Sequence, residues 1–221
     1  LIMSGEMPKE QIAMRLCCAM APADIGVLRN APHKLPKEEF TAYTNAVVML
    51  KNVPMQINDT SRPSIANIRE SIRKTQHQYG LVGAVLVDYL QIMKTTKPFA
   101  REDLKIAYFT GELKAMAKEF NCVIVLLSQL NRELEKRPNK RPVLSDLRES
   151  GAIEQDADQI IFLYRDEIYN KESQFRGIAE AIVGKNRHGE AGTAYMHAQL
   201  KYCQFTNLDH DALNQIQGNL I

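Results

Sequence analysis

Short apolar runs alternate along this chain with longer stretches in which apolar residues recur every three or four positions. Residues 1–4 read as the end of a strand. Pro8 suits the first position of a helix in which Ile12, Ala13, Leu16 and Met20 form one stripe. A second helix opens at Leu35-Pro36-Lys37-Glu38-Glu39, its early acids matching the positive end of the helix dipole, and carries Phe40, Val47, Val48 and Leu50. Residues 55–58 are a short strand candidate. Residues 63–79 predict a helix with Ile65, Ile68 and Ile72 on one face, stopped by Gly80. Ala84-Val85-Leu86-Val87 reads as a buried strand ending at Asp88, residues 102–120 as a long helix, and residues 122–128 and 159–164 as two more buried strands. Residues 131–145 hold Pro138, Pro142 and many charges and read as a mobile loop. From Ile178 onward, alternation punctuated by Gly184, Gly189 and Gly192 predicts antiparallel strands and a hairpin.

Strands alternating with helices predict an α/β fold: a mostly parallel sheet with helices on both faces, extended by antiparallel strands at the C-terminal end. The 221 residues are 45% hydrophobic and 24% charged, which excludes a disordered or fibrous chain. A net charge of +2 means that any nucleic-acid surface is local. No apolar run approaches bilayer length, and the first residues lack the pattern of a signal peptide, so no membrane association is expected. Cys17, Cys18, Cys122 and Cys203 form no zinc-ligand spacing and read as reduced thiols of a cytoplasmic protein.

Chemistry concentrates at strand ends, because ligands of open parallel sheets sit beyond the carboxyl ends of the strands. Asp88, directly after its strand, can hold a magnesium-bound water in the manner of a Walker B aspartate, although many strands simply end in Asp. Leu127-Ser128-Gln129 delivers an amide to the same edge, either to contact a terminal phosphate or as an ordinary loop residue. Glu6 can polarise an attacking water or merely favour a helix N-terminus. Arg15 on the next helix faces solvent or reaches a phosphate. Lys185 and Arg187 alternate before a glycine turn, as a phosphate-directed pair or a solvated basic hairpin. Residues 131–142 hold Arg132, Lys136, Arg137, Lys140 and Arg141 against Glu133 and Glu135.

Taken together, five segments resemble the C-terminal ATPase domain of DnaB-type replicative helicases, whose core is RecA-like. They are Met3-Ser4-Gly5-Glu6-Met7-Pro8, Val87-Asp88-Tyr89-Leu90-Gln91-Ile92-Met93, Leu127-Ser128-Gln129-Leu130-Asn131-Arg132, the run from Asp146-Leu147-Arg148-Glu149-Ser150-Gly151 to Asp156-Ala157-Asp158, and Gly184-Lys185-Asn186-Arg187-His188-Gly189. They stand in family order and reach to about residue 206, leaving residues 207–221 as a tail. The resemblance implies a P-loop NTPase that uses ATP and Mg2+, assembles as a homohexamer, moves on single-stranded DNA, and meets a primase and a helicase loader. By the same resemblance Glu6 is the catalytic base, Asp88 the magnesium partner, Gln129 the γ-phosphate sensor, and Arg15 a phosphate neighbour. Lys185 and Arg187 then act on the adjoining subunit's nucleotide, Arg187 as arginine finger. Arg148, Glu149 and Gly151 correspond to the loop that tracks single-stranded DNA, joined by Arg132, Lys136, Arg137 and Lys140. Neither loop holds an aromatic residue, so base stacking is not expected. A recombination-type RecA-like ATPase and a non-catalytic module binding helicase subunits, loader or primase are the alternatives.

Two departures stand out. No Gly-Lys-Ser/Thr occurs, so the phosphate-binding loop is missing; family order puts it before residue 1, where the chain opens inside an apolar run without an initiator methionine. Gly5 stands where the family usually has leucine. The expectation is that these 221 residues bind ATP poorly, and that loss of the P-loop strand leaves the Asp88 strand without one expected neighbour, with reduced stability or altered assembly. Titrating this chain with ATP and magnesium tests the first point: affinity weaker than millimolar is expected, and micromolar affinity contradicts it.

Overall fold

The computed structural model describes residues 1–147 and 151–209. Along the chain run β1 (Ile2–Ser4), α1 (Lys9–Met20), α2 (Ile25–Asn30), α3 (Lys37–Lys51), β2 (Ile57–Asn58), α4 (Ile65–Tyr79), β3 (Ala84–Asp88), α5 (Glu102–Glu119), β4 (Val123–Leu126), α6 (Gly151–Asp156), β5 (Gln159–Tyr164), β6 (Ile178–Asn186), β7 (Gly192–Gln199) and β8 (Gln204–Asn207). They form two compact units. One comprises Leu1–Ile12, Val53–Arg137 and Val143–Asp158; the other comprises Ala13–Asn52, Pro138–Pro142 and the described part of Gln159–Ile221.

The first unit is built on a parallel sheet of order β2-β1-β3-β4. Met3, Val85 and Val87 are fully buried on one face, with Ile68 and Ile72 of α4 and Phe109 and Met116 of α5 in the same core. The helices owe their limits to local chemistry. Ser64 and Asn67 exchange bonds in a capping box at the start of α4, and Gly80, at φ 88°, ends it. The first turn of α1 is capped from a distance, since the Lys9 N–H donates to Asp59 Oδ2 at 3.1 Å.

Two expectations change here. The runs in β3 and β4 are not buried throughout: Leu86, Val123, Val125 and Leu127 are exposed, because only one face of these strands is covered. The Asp88 strand does not lack a neighbour either. β3 pairs with β1 on one side and β4 on the other, so the open edges of this sheet are β2 and β4.

The second unit holds an antiparallel sheet of order β5-β6-β7-β8. Residues 159–164 therefore belong to a separate sheet, pairing antiparallel with β6 across a bulge at Ile160/Ile161. Their strict alternation of buried and exposed positions, with Ile161 and Leu163 outside, is that of a strand packed on one face only. The hairpin of β6 and β7 appears as the glycines predict, and β8 follows a tight turn through Cys203 in the left-handed region. Alongside lie α1 from Ala13 on, α2 and α3. Cys18, Ala23 and Leu35 form one small core, and Cys17, Ala21 and Ala46 another. The helix α2, unread in the sequence, is one short turn-and-a-half capped by Asp24, whose Oδ1 accepts from Gly26 N at 2.8 Å and Val27 N at 3.1 Å.

All four cysteines are free thiols, and no helix among the described residues is long and apolar enough to cross a membrane. Burial pushes the Cys18 thiol up to about 11 from 9.0, with Cys203 and Cys17 adding to the effect. A raised native pKa means that folding favours the protonated form. This contribution is full below pH 9 and is lost as pH rises toward 11. Denaturant melts from pH 8 to 11 should show stability falling across that window, and the Cys18→Ala variant should show a flatter fall; identical slopes contradict the burial of this thiol.

Candidate functional site

The register of the parallel sheet decides where the candidate residues meet. Ser4 pairs with Asp88, and Val87 with Leu126, so β1, β3 and β4 reach their carboxyl ends together. Past those ends the ladder continues: Gly5 N donates to Asp88 O at 3.0 Å, Leu127 N to Val87 O at 3.0 Å, and Leu90 N to Leu127 O at 2.9 Å. Glu6, Asp88 and Gln129 consequently share one edge. Glu6 and Gln129 are exposed and Asp88 is half-buried. Among the described residues none of these three side chains has a hydrogen-bond or ion-pair partner.

Each is held by its own local device. Ser4 is buried, with its hydroxyl donating to Met7 O at 2.8 Å and accepting from Met7 N at 3.2 Å; this closes a turn that puts Glu6 outside. Gly5 lies against the Ile92 side chain. A Cβ there would stand 2.3 Å from Ile92 Cδ1, the far end of a flexible side chain, and 3.2 Å from Pro63 Cδ, so a larger residue requires Ile92 to move. The peptide between Asp88 and Tyr89 is cis, and the turn Leu90–Ile92 that follows is pinned by buried Leu90. Gln129 is placed through its backbone, by bonds to Gln91 and Ser128.

The expectation of a mobile loop at residues 131–145 is not met. Short turns at Arg132–Lys136 and Leu144–Asp146 structure it, and Leu134 is buried. Arg137 forks onto Asp146, Nη1 to Oδ1 at 2.9 Å and Nη2 to Oδ2 at 2.7 Å, while Asp146 also accepts from Val143 N at 2.8 Å. Lys136 pairs with Glu133 at 2.7 Å in the open. In the other unit Arg141 forks onto buried Glu180, at 2.8 and 2.7 Å, and lies over the Tyr164 ring. That carboxylate holds the guanidinium's pKa up, and burial pushes the Tyr164 phenol up. Three of the five cations counted as a basic loop are thus compensated by acids; Arg132 is exposed and Lys140 half-buried. Gln129 leads straight into this arrangement: Leu130 bridges Leu147, and Asn131 N donates to Asp146 O at 2.7 Å.

Arg148 and Glu149 lie outside the described residues. Gly151 opens α6 with open space around its Cα. The acids that close this segment are anchors on α5, since Thr110 donates to Asp156 and Lys114 pairs with Asp158. Arg15 is exposed on α1. In the second unit Lys185 is a half-buried residue of β6, level with Ile160, and Arg187 is exposed in the turn that follows. Sequence reasoning missed Asn186 between them. Its Oδ1 accepts from Gln159 Nε2 at 3.2 Å and its Nδ2 donates to Glu190 O at 3.4 Å. A Cβ at Gly189 would meet Nδ2 at 2.6 Å, so that glycine serves the Asn186 contact.

In open parallel sheets of α/β proteins, ligands sit beyond the carboxyl ends of the strands, where this sheet gathers two carboxylates and an amide. Residues 1–207 match the family model of the DnaB-like helicase C-terminal domain, and the chain belongs to that family. It is 42% identical over 209 residues to the replicative DNA helicase DnaB of Haemophilus influenzae, covering 94% of this chain and 44% of the relative. The DnaB helicase of Geobacillus stearothermophilus is 38% identical, with 94% and 45% covered. Among solved structures, one of an isolated ATPase domain superposes with a TM-score of 0.89 at 36% identity, covering 94% of this chain and 74% of that one. A DnaB-like replicative helicase, solved in a study of its interactions with primase, gives 0.89 and 36%, with 94% and 50% covered. The chain thus spans less than half the length of these curated relatives.

Arg137→Ala would leave the buried Asp146 carboxylate unpaired and should cost about 3 kcal/mol in urea unfolding, whereas Lys136→Ala, at an exposed pair, should stay within about 0.5 kcal/mol. Equal effects of the two would contradict the anchoring role of Arg137.

Proposed function

We propose that this chain is the motor domain of a replicative DNA helicase, a ring of six copies that couples ATP hydrolysis to movement along single-stranded DNA and so parts the duplex. The observation that supports it best is the common register of β1, β3 and β4, which sets Glu6, Asp88 and Gln129 on one edge with their side chains uncommitted. A single half-buried carboxylate suits magnesium, a hard cation that keeps most of its waters. Magnesium-bound ATP brings the phosphoryl group and its Lewis acid to this edge when bound.

The chain's own residues then divide the work. Asp88 holds the cation through a water. Glu6 takes the proton of the attacking water. Gln129 donates its amide to the terminal phosphate and, through Leu130 and its bridge to Leu147, couples phosphate state to the segment that begins at Arg148. Arg15 lies near the phosphates. Lys185 and Arg187 act on the nucleotide of the adjoining copy, where a planar, permanently charged guanidinium stabilises charge on the equatorial oxygens. Arg148 pairs with a DNA phosphate, Glu149 and Gly151 complete that loop, and Arg132, Lys136 and Lys140 add positive surface. Arg137 contributes by holding the loop's shape. A primase partner is supported by the similar helicase solved with attention to primase; a helicase loader and a cytoplasmic location complete the proposal.

Full-length Glu6→Gln and Arg187→Ala variants should each lose ATPase activity by at least about a hundredfold. Co-expressed in one ring, they should regain part of it, because a subunit with intact Glu6 then meets a neighbour with intact Arg187. Absence of recovery in verified mixed hexamers would refute action across the interface.

A further inference from the structure

The side chain of Gln91 spans the gap between two of the strand tips and has no assigned role. Its Oε1 accepts from the backbone N–H of Gln129 at 3.2 Å, and its Nε2 donates to Ser128 Oγ at 2.9 Å. The orientation of the amide is dictated by chemistry: a backbone N–H can only donate, so the oxygen must face Gln129 and the nitrogen Ser128. The Ser128 hydroxyl, having accepted from Gln91, turns its own hydrogen to Gln129 O at 3.3 Å. Both backbone polar groups of Gln129 are therefore satisfied within a closed ring of three bonds that starts and ends at Gln91.

The base of this ring does not move easily. Gln91 sits in a short turn between Leu90, at 0% exposure, and Met93, at 2%. Met93 N donates to Leu90 O at 3.1 Å and Leu90 N to Leu127 O at 2.9 Å. Gln91 is also only three residues beyond Asp88, on the same turn. A rigid piece of backbone thus carries the Asp88 carboxylate at one end and grips the Gln129 peptide at the other, leaving only the Gln129 side chain free to search for a ligand. Holding the peptide removes backbone freedom from that search, and small displacements of a reacting group are costly to rate.

We propose that Gln91 is a positioning residue for ATP hydrolysis: it fixes the peptide of Gln129 relative to Asp88, so that the sensing amide meets the terminal phosphate in register with the metal-binding carboxylate. This rests on the reading of Gln129 given above.

The test is a double-variant cycle in the full-length protein, with steady-state ATPase measured on single-stranded DNA. Gln91→Met keeps the bulk of the side chain and deletes both hydrogen bonds. It should lower kcat about tenfold, the scale of a hydrogen bond lost from a pre-organised group, with KM for ATP changed less than about twofold. Gln129→Ala should lower kcat at least as much, and adding Gln91→Met to it should lower kcat no further. If Gln129→Ala leaves kcat unchanged, the sensing reading itself fails, and with it the proposal. If Gln129→Ala lowers kcat but Gln91→Met either leaves kcat within twofold or multiplies fully in the double variant, the positioning role alone is overturned. Should Gln91→Met melt early, Ser128→Ala opens the same ring from the other side and must show the same loss of additivity with Gln129→Ala; full multiplication there also overturns the proposal.

Discussion

Parallel strands cannot be joined by tight turns, and their hydrogen bonds fix which residues lie level with one another. In this molecule the pairing of Ser4 with Asp88 and of Val87 with Leu126 settles that three chain segments, far apart in sequence, run out of strand at the same height. The continuation of the ladder past the strand ends, through Gly5, Leu90 and Leu127, then prevents the tips from fraying apart. A shift of one residue in either pairing would turn the apolar face of β3 outward and carry Asp88 off the level of the other tips. Burial of Met3, Val85 and Val87 against the helices resists that slip, so the core enforces the geometry of the rim.

Around this edge the charged residues separate into two kinds. Those that anchor are paired: Arg137 with Asp146 and Lys114 with Asp158. Those assigned to chemistry, Glu6 and Asp88, have no ion-pair partner among the described residues. The contrast is physically sensible, because a carboxylate already forked by arginine has little capacity left for a cation or a water. It also explains the density of acids in the segment from Asp146 to Asp158. Arg137 forks onto Asp146, and Asp156 and Asp158 fasten the segment's other end to α5.

Much of this was legible in the sequence. Apolar runs ending near Asp88 and Gln129 marked the strands, and Pro8 and Gly80 marked helix limits, because these signals are local. What the sequence could not supply depends on partners. Five cations within residues 131–142 looked like a loose basic loop, since the acids that pair with Arg137 and Arg141 lie at positions 146 and 180. The run at residues 159–164 looked like a third buried strand, because an apolar run reveals neither the direction of its neighbour nor that only one of its faces is covered. Gln91 hides inside a motif, its function visible only once β3 and β4 are seen side by side.

The central claim is spatial: three strand tips form one nucleotide edge, completed by a basic pair from an adjoining copy. The most direct measurement is a structure of the full-length assembly with magnesium and a non-hydrolysable ATP analogue. The account predicts the terminal phosphate beside Gln129, Glu6 toward the attacking position, Asp88 on the metal's water shell, and the neighbouring subunit's Arg187 at the phosphates. A nucleotide seated away from this edge, or one reached by Arg187 of its own subunit, would contradict it.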